Sequence, residues 1–175
     1  MRLKKIIIFL IFTFIIINSP SIIALSSGFQ LGNDYITDFD QLNFGNSSEI
    51  NQNGDYNNAR LNQDGWSNLA NINQTGNKNL SYNFQNGGSN SILIDQNGRS
   101  NQSLISQSGY LNEASVIQNG ANNLNLIGQG GWNNSADVIM NGDNNKALVL
   151  QLGYNRNSEI RHNGNDSEMS IFIGN

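Results

Sequence analysis

Glycine recurs at an unbroken spacing of eleven, at Gly54, Gly65, Gly76, Gly87, Gly98, Gly109, Gly120, Gly131, Gly142, Gly153 and Gly164. Two residues before almost every one stands glutamine: Gln52, Gln63, Gln74, Gln85, Gln96, Gln107, Gln118, Gln129 and Gln151. Three residues after them stands asparagine: Asn57, Asn68, Asn79, Asn90, Asn101, Asn112, Asn123, Asn134 and Asn145. A fixed period means one structural unit stacked on copies of itself. The unit reads Q-x-G-x-x-N-x-A-x-I-x, so function is expected in the array and not in a single site.

An eleven-residue period has one helical interpretation, a right-handed supercoil. Each period would then hold a Gly and an Asn inside a helix, each costing roughly 0.5–1 kcal/mol relative to Ala. Repeated that often, the cost defeats the helix. The β reading fits better. Ala59-Leu61-Gln63, Ala70-Ile72-Gln74, Ser103-Ile105-Gln107 and Ala114-Val116-Gln118 alternate with period two, which puts all three on one face of a strand. The intervening G-x-x-N is turn chemistry, because Gly accepts positive φ and Asn tolerates the left-handed region.

A second period tells how the arms combine. The residue after the glycine is Trp66, Gly88, Tyr110, Trp132 and Tyr154 in alternate units, and polar or small in the others. The sequence therefore predicts an all-β protein: a β-solenoid of 22-residue coils, each two 11-residue strand-turn arms, forming two facing parallel sheets. From Gln41 onward this gives about six coils, roughly 29 Å long at the strand spacing of a sheet. Between the sheets lie layers of Ala/Ser, Ile/Val/Leu and Gln. A buried amide without a partner costs about 2–7 kcal/mol, so the Gln and Asn are expected to bond their own copies along the axis, as in cross-β ladders.

Three segments follow. Residues 1–24 read as a cleaved secretory signal peptide, with basic Arg2, Lys4 and Lys5, an apolar run from Ile6 to Ile17, and a cleavage site near Ala24. The apolar run is shorter than the roughly 20 residues a membrane-spanning helix needs. Residues 25–46 form an irregular N-terminal segment. Residues 41–175 are the array, beginning with a degenerate unit at Gln41, preceded by a weaker one at Gln30.

Beyond the leader, six basic residues face thirteen acidic ones, a formal charge of −7. That is a poor footprint for nucleic acid, which wants clustered Lys and Arg. The chain has no cysteine and one histidine, His162, at a position where the repeat has Gln. Neither a disulfide framework nor a thiolate metal site can form. The acids fall on outward and corner positions and do not converge as a glycosidase pair would, so no catalytic residue, metal or cofactor is expected. An ice-binding solenoid would want a flat row of Thr, and the chain past its leader holds only Thr37 and Thr75.

The strands' outer faces differ. One column on the odd arms reads Tyr82, Leu104, Leu126 and Leu148, with Leu80, Phe84, Leu124 and Leu150 beside it. An exposed apolar stripe marks a candidate interaction surface, toward a partner fibril, the cell envelope or a sister filament. No cap is visible after the strand-like run Met169 to Ile173, and soluble solenoids usually protect such edges. The array therefore points to a polymer subunit or a seed for one.

The motif Gln52-Asn53-Gly54-Asp55-Tyr56-Asn57-Asn58-Ala59 leading to Gln63 resembles the curlin repeat, and the resemblance covers residues 41–172 in twelve consecutive arms. It implies a secreted subunit of curli-type surface amyloid fibres, with adhesion and biofilm as the biological setting. It also implies an outer-membrane secretion pore that recognises residues 25–46, periplasmic export accessory proteins, and copies of the chain and a homologous fibre subunit as partners. The invariant spacing, the lead Phe29 to Tyr35 and the ending Glu168 to Ile171 resemble the minor, nucleating subunit more than the major one. The last units degrade, with Met140 and His162 in place of Gln, and Arg156 and Ser167 in place of Asn. The family's nucleator is expected to end on a basic repeat. Here Arg156 and Arg161 are offset by Glu159, Asp166 and Glu168, and this part of the resemblance fails. A major fibre subunit and a non-polymerising adhesin are the alternatives.

Overall fold

The computed structural model describes residues 24–25 and 35–174, with side chains from residue 45 onward. Residues 1–23 of the expected leader and 26–34 of the lead fall outside the described residues. Fourteen strands follow in order: β1 Ala24–Leu25, β2 Tyr35–Phe44, β3 Ser47–Asp55, β4 Asn58–Trp66, β5 Leu69–Asn77, β6 Leu80–Gly88 and β7 Ser91–Arg99. The second half continues with β8 Gln102–Tyr110, β9 Glu113–Ala121, β10 Leu124–Trp132, β11 Ser135–Asn141, β12 Lys146–Tyr154, β13 Asn157–Asn163 and β14 Glu168–Ile173. The odd strands make one seven-stranded parallel sheet, in order β1-β3-β5-β7-β9-β11-β13. The even strands make the other, in order β14-β12-β10-β8-β6-β4-β2. The chain alternates between them, and this is the expected β-solenoid of two-arm, 22-residue coils.

Register follows directly from the repeat. Gln52 stands opposite Gln74, and Gln74 opposite Gln96. In the even sheet Gln85 stands opposite Gln107, and Gln107 opposite Gln129. Side chains alternate in and out along each strand, as in the pattern of β7, where Ile92, Ile94 and Gln96 point inward. Because the side-chain period is two, a one-residue slip would turn this whole set outward. The inward aliphatic column of the odd sheet is Ile50, Ile72, Ile94, Val116, Val138 and Ile160, all buried. Burying each Ile or Val contributes roughly 1.5–3 kcal/mol. Two sheets each with one apolar column make a thin core.

Glycine is required by the spacing of the coils. At Gly98 φ is +127°, and a Cβ there would lie 2.0 Å from the carbonyl oxygen of Gly120 one coil on. No L-side chain fits either constraint. The left-handed residue of each turn is not the repeat Asn, as the sequence pattern suggested, but the residue just before it. Tyr56, Lys78, Ser100 and Leu111 have φ between 54° and 60° together with their equivalents in the other turns. From Lys78 onward their N–H groups donate to the preceding coil, as in Lys78 N to Asp55 O at 3.0 Å and Ser100 N to Asn77 O at 2.9 Å. The backbone ladder thus continues around the corner, and that bond offsets the local strain of a left-handed residue.

The lead joins the array out of step. Asp40, not Gln41, stands opposite Gln63, and the 22-residue register returns only where Phe44 meets Trp66. Asn43 stands where the ladder would have glycine. A side chain cannot occupy the glycine geometry described above, and the strand takes up the extra residue as an irregularity between Gln41 and Phe44.

The core of the even sheet holds two amides out of pattern, Asn83 and Asn125, each with an unpartnered Oδ1. Its aliphatic column runs Leu61, Asn83, Ile105, Ile127 and Val149. Asn83 is fully buried; its Nδ2 donates to Ser81 Oγ at 2.7 Å, and its Oδ1 has no partner. Removing one partner of a buried polar pair leaves the other unsatisfied, whereas replacing both by apolar groups of the same shape is neutral or stabilising. Ser81→Ala/Asn83→Leu is therefore expected to raise stability by about 1–3 kcal/mol, read as a higher urea midpoint; an unchanged or lower midpoint would show that the amide–hydroxyl bond outweighs the orphaned oxygen.

Candidate functional site

The candidate site is a set of four amide columns running the length of the solenoid. Two are glutamine columns inside the sheets. In the odd sheet Gln52 Nε2 donates to Gln74 Oε1, Gln74 to Gln96 and Gln96 to Gln118, each at 2.7 Å. In the even sheet the chain of bonds runs Gln63, Gln85, Gln107, Gln129 and Gln151 at 2.8 to 2.9 Å. Each carboxamide carries a donor and an acceptor in one plane, so a copy translated along the axis meets its own complement.

The second amide hydrogen crosses the core. Gln107 Nε2 also donates to Ser91 O at 2.9 Å, Gln129 to Glu113 O at 2.8 Å and Gln151 to Ser135 O at 2.8 Å. Each acceptor is the first residue after an Asn corner of the opposite sheet. Glutamine therefore stacks the coils and also ties the two sheets together. Sequence reasoning found the first role and missed the second, because the acceptor is a backbone group that no residue type announces.

The other two columns are the asparagines at the corners. Asn79 Nδ2 donates to Asn57 Oδ1 at 3.2 Å and to Gly98 O at 3.2 Å, and Asn57 Oδ1 also accepts the Asn79 backbone N–H at 3.1 Å. The opposite corner repeats this with Asn68, Asn90, Asn112 and Asn134. From Asn57 to Asn145 these side chains are at most 1% exposed. The Asn is thus an interior group of the corner and does not supply its left-handed backbone. Its amide binds the glycine carbonyl of the next coil, and the pair Gly and Asn is one device.

Both kinds of column stop near the last coil. Met140 stands opposite Gln118, and His162 opposite Met140. Ile173 stands opposite Gln151. Arg156 and Ser167 replace Asn, although their backbone N–H groups still bond Asn134 Oδ1 at 3.1 Å and Asn145 Oδ1 at 3.2 Å.

On the outer surface of the even sheet Tyr82, Leu104, Leu126 and Leu148 stand in register, one per coil. Tyr82 and Leu104 are 37% exposed, with Leu126 and Leu148 half-buried. Phe84 and Leu150 lie beside them, and both are exposed. At the corner the aromatic column is Trp66, Tyr110, Trp132 and Tyr154, with a gap at Gly88. Trp66 leans over that gap, where a Cβ would lie 2.5 Å from its ring, and its ring centre is 6.1 Å from that of Tyr110. Among the described residues no group of His, Cys, Asp and Glu is placed to hold a metal ion.

Removing one rung should expose the chemistry of the column. Gln107→Ala leaves Gln85 without its acceptor and Gln129 and Ser91 without their donor; Gln118 has no amide ahead of it and bonds Gln102 O. Gln107→Ala is thus expected to cost about 2–5 kcal/mol and Gln118→Ala distinctly less, measured as shifts in denaturation midpoint. Gln118→Ala still removes the bond from Gln96, so equal costs would mean that the second axial bond, from Gln107 to Gln129, contributes nothing.

No curated protein matches the chain. The family model of the curlin associated repeat matches residues 65–98 and 87–120, two overlapping stretches that each span three successive arms. These matches support the curlin family, and this chain carries curlin-associated repeats in the centre of its solenoid.

Proposed function

We propose that the chain is a secreted subunit of a curli-type extracellular amyloid fibre, and within it the minor subunit that starts polymerisation of a homologous major subunit, with adhesion and biofilm as its setting. One observation carries the reading. From β3 to β14 the backbone pairing repeats under one 22-residue translation, and the amide bonds repeat with it until their columns end. Among the described residues β13 and β14 close their sheets and pair on one side only. A strand edge with the geometry of the body can receive another chain as the next coil.

The minor role draws on the invariant eleven-residue spacing and on the loss of amides in the last coil. A growing fibre of identical units favours complete columns, whereas a starter needs only one matching face. The unbroken glutamine column from Gln63 to Gln151 favours a second reading, a major fibre subunit. In either role residues 1–24 act as a cleaved leader, and residues 25–46 are read by an outer-membrane pore and its periplasmic accessory proteins.

The test is fibre diffraction and dye-binding kinetics on the purified chain, followed by cross-seeding. Reflections near 4.7 and 10 Å, spontaneous growth, and a shortened lag when a trace is added to a curlin major subunit are expected. Fibres that grow but do not seed would transfer the assignment to the major subunit. A stable monomer that never polymerises would overturn the fibre reading.

A further inference from the structure

The two outer faces of the solenoid differ in charge. On the odd sheet the strands carry Glu49, Asp55, Asp95, Glu113, Asp137 and Glu159 against only Arg99 and Arg161. On the even sheet β6, β8 and β10 have no charged residue at all, β4, β12 and β14 carry Arg60 with Asp64, Lys146 and Glu168, and the terminal strand β2 adds Asp38 and Asp40. Two acidic faces brought together repel. From β4 to β14 the even face is neutral and apolar, and it is the one that can meet its own kind.

Its central side chains form three parallel columns, flanked by Asn58, Leu80, Gln102, Leu124 and Lys146 on one side and by the aromatic column on the other. The first is Arg60, Tyr82, Leu104, Leu126 and Leu148; the second Asn62, Phe84, Ser106, Gly128 and Leu150; the third Asp64, Asn86, Ser108, Gly130 and Leu152. A two-fold axis parallel to the solenoid and passing over the second column exchanges the first with the third. Arg60 then meets Asp64 of the other copy. Leu104 meets Ser108, and Leu126 meets Gly130, so large side chains face small ones where β8 and β10 lie. An open hollow of about 220 Å³, lined in part by Phe84, Asn86, Ser106 and Ser108, lies where Leu104 would enter. The face is self-complementary in shape and in charge under one operation, as an isologous interface requires.

We propose that a second copy of this chain packs on the even-sheet face, solenoid beside parallel solenoid, about this two-fold axis. Five strands, β4 to β12, at about 4.8 Å spacing and about 30 Å length present roughly 700 Å² per copy. Two such faces bury about 1,400 Å², within the range of roughly 1,200–2,000 Å² for a stable, specific interface. Sheets packed this way interdigitate dry side chains. Because the axis is parallel to the solenoid, both partners present the same end in the same direction, and paired filaments can lengthen together.

The inference rests on the fibre reading only for the form in which it is observed, so a charge-swap cycle is read by two methods. Mass per unit length of fibres by scanning transmission electron microscopy is expected to equal two solenoids for the wild-type chain. It should fall twofold for Leu104→Ser/Leu126→Ser/Leu148→Ser and for Arg60→Asp, which sets Asp against Asp. The double variant Arg60→Asp/Asp64→Arg should restore the pair, because the axis brings the exchanged charges together again. If the chain does not polymerise, the fibre reading fails, and sedimentation of the soluble protein asks the same question as dimer against monomer. A single solenoid in the wild type, or a double variant that stays single, overturns the proposal. Docking on a lipid surface or another protein would give that second result, since neither restores binding when the two charges trade places.

Discussion

The structure depends on one interaction, the hydrogen bond between identical carboxamides one coil apart. In a parallel stack every side chain meets its own copy about 4.8 Å away. For a buried carboxylate or ammonium that would be repulsion in a medium of low dielectric. For an apolar group it gives packing without preference for register. Only Asn and Gln carry donor and acceptor in one planar group, and they gain by meeting themselves. From this follow the fixed length of the arm, since a single insertion would end the column, and the glycine beside it. The Asn amide reaches the glycine carbonyl of the next coil only because the two backbones approach to where a Cβ would stand 2.0 Å from that oxygen.

Much of this was legible because translation along the axis makes sequence period and spatial contact the same thing. The eleven-residue ladder announces the arm, and the alternation of Trp66, Tyr110, Trp132 and Tyr154 with polar residues announces the coil of two arms. Two features were hidden for a physical reason. The left-handed residue can be Lys78, Ser89, Ser100 or Leu111 because its backbone N–H is bonded in the stack, and many side chains tolerate the strain once outward-facing. The cross-sheet bond from Gln ends on a carbonyl, which every residue has. The slip in β2 was invisible to counting, because it arises from what Asn43 cannot do and not from a motif.

The faces of the two sheets solve the same problem differently. In the odd sheet Asp137 stands directly opposite Glu159, a like-charged pair of the kind that destabilises a sheet. Arg161 contacts Glu159 and lies 3.9 Å from Asp137, so one guanidinium serves both carboxylates. These groups are exposed, and the contribution of each contact to stability is small. Their larger effect is to keep that face in water. The middle strands of the even sheet, β6, β8 and β10, avoid like charges by having none, and the result is a stripe that water covers poorly. A regular parallel stack thus tends to make each face uniform in character, and two faces of opposite character define which side of the filament can be shared.

The last coil separates what the amides do from what the backbone does. Met140 and His162 end one glutamine column, Ile173 ends the other, and Arg156 and Ser167 end the asparagine corners. Yet β13 still pairs with β11 over seven residues, and β14 with β12 over six. The corner N–H groups of Arg156 and Ser167 also keep their bonds to the Asn oxygens of the coil before. Backbone pairing and the aliphatic column, which continues through Ile160, are therefore sufficient to lay down a coil on an existing one. The amides add discrimination: any strand can satisfy a neighbouring backbone, but only a strand with Gln and Asn at the same places and spacing completes the columns without leaving a buried amide unpaired, a loss of about 1–3 kcal/mol for each group. Over four columns that difference is large enough to decide which chain may add to the stack.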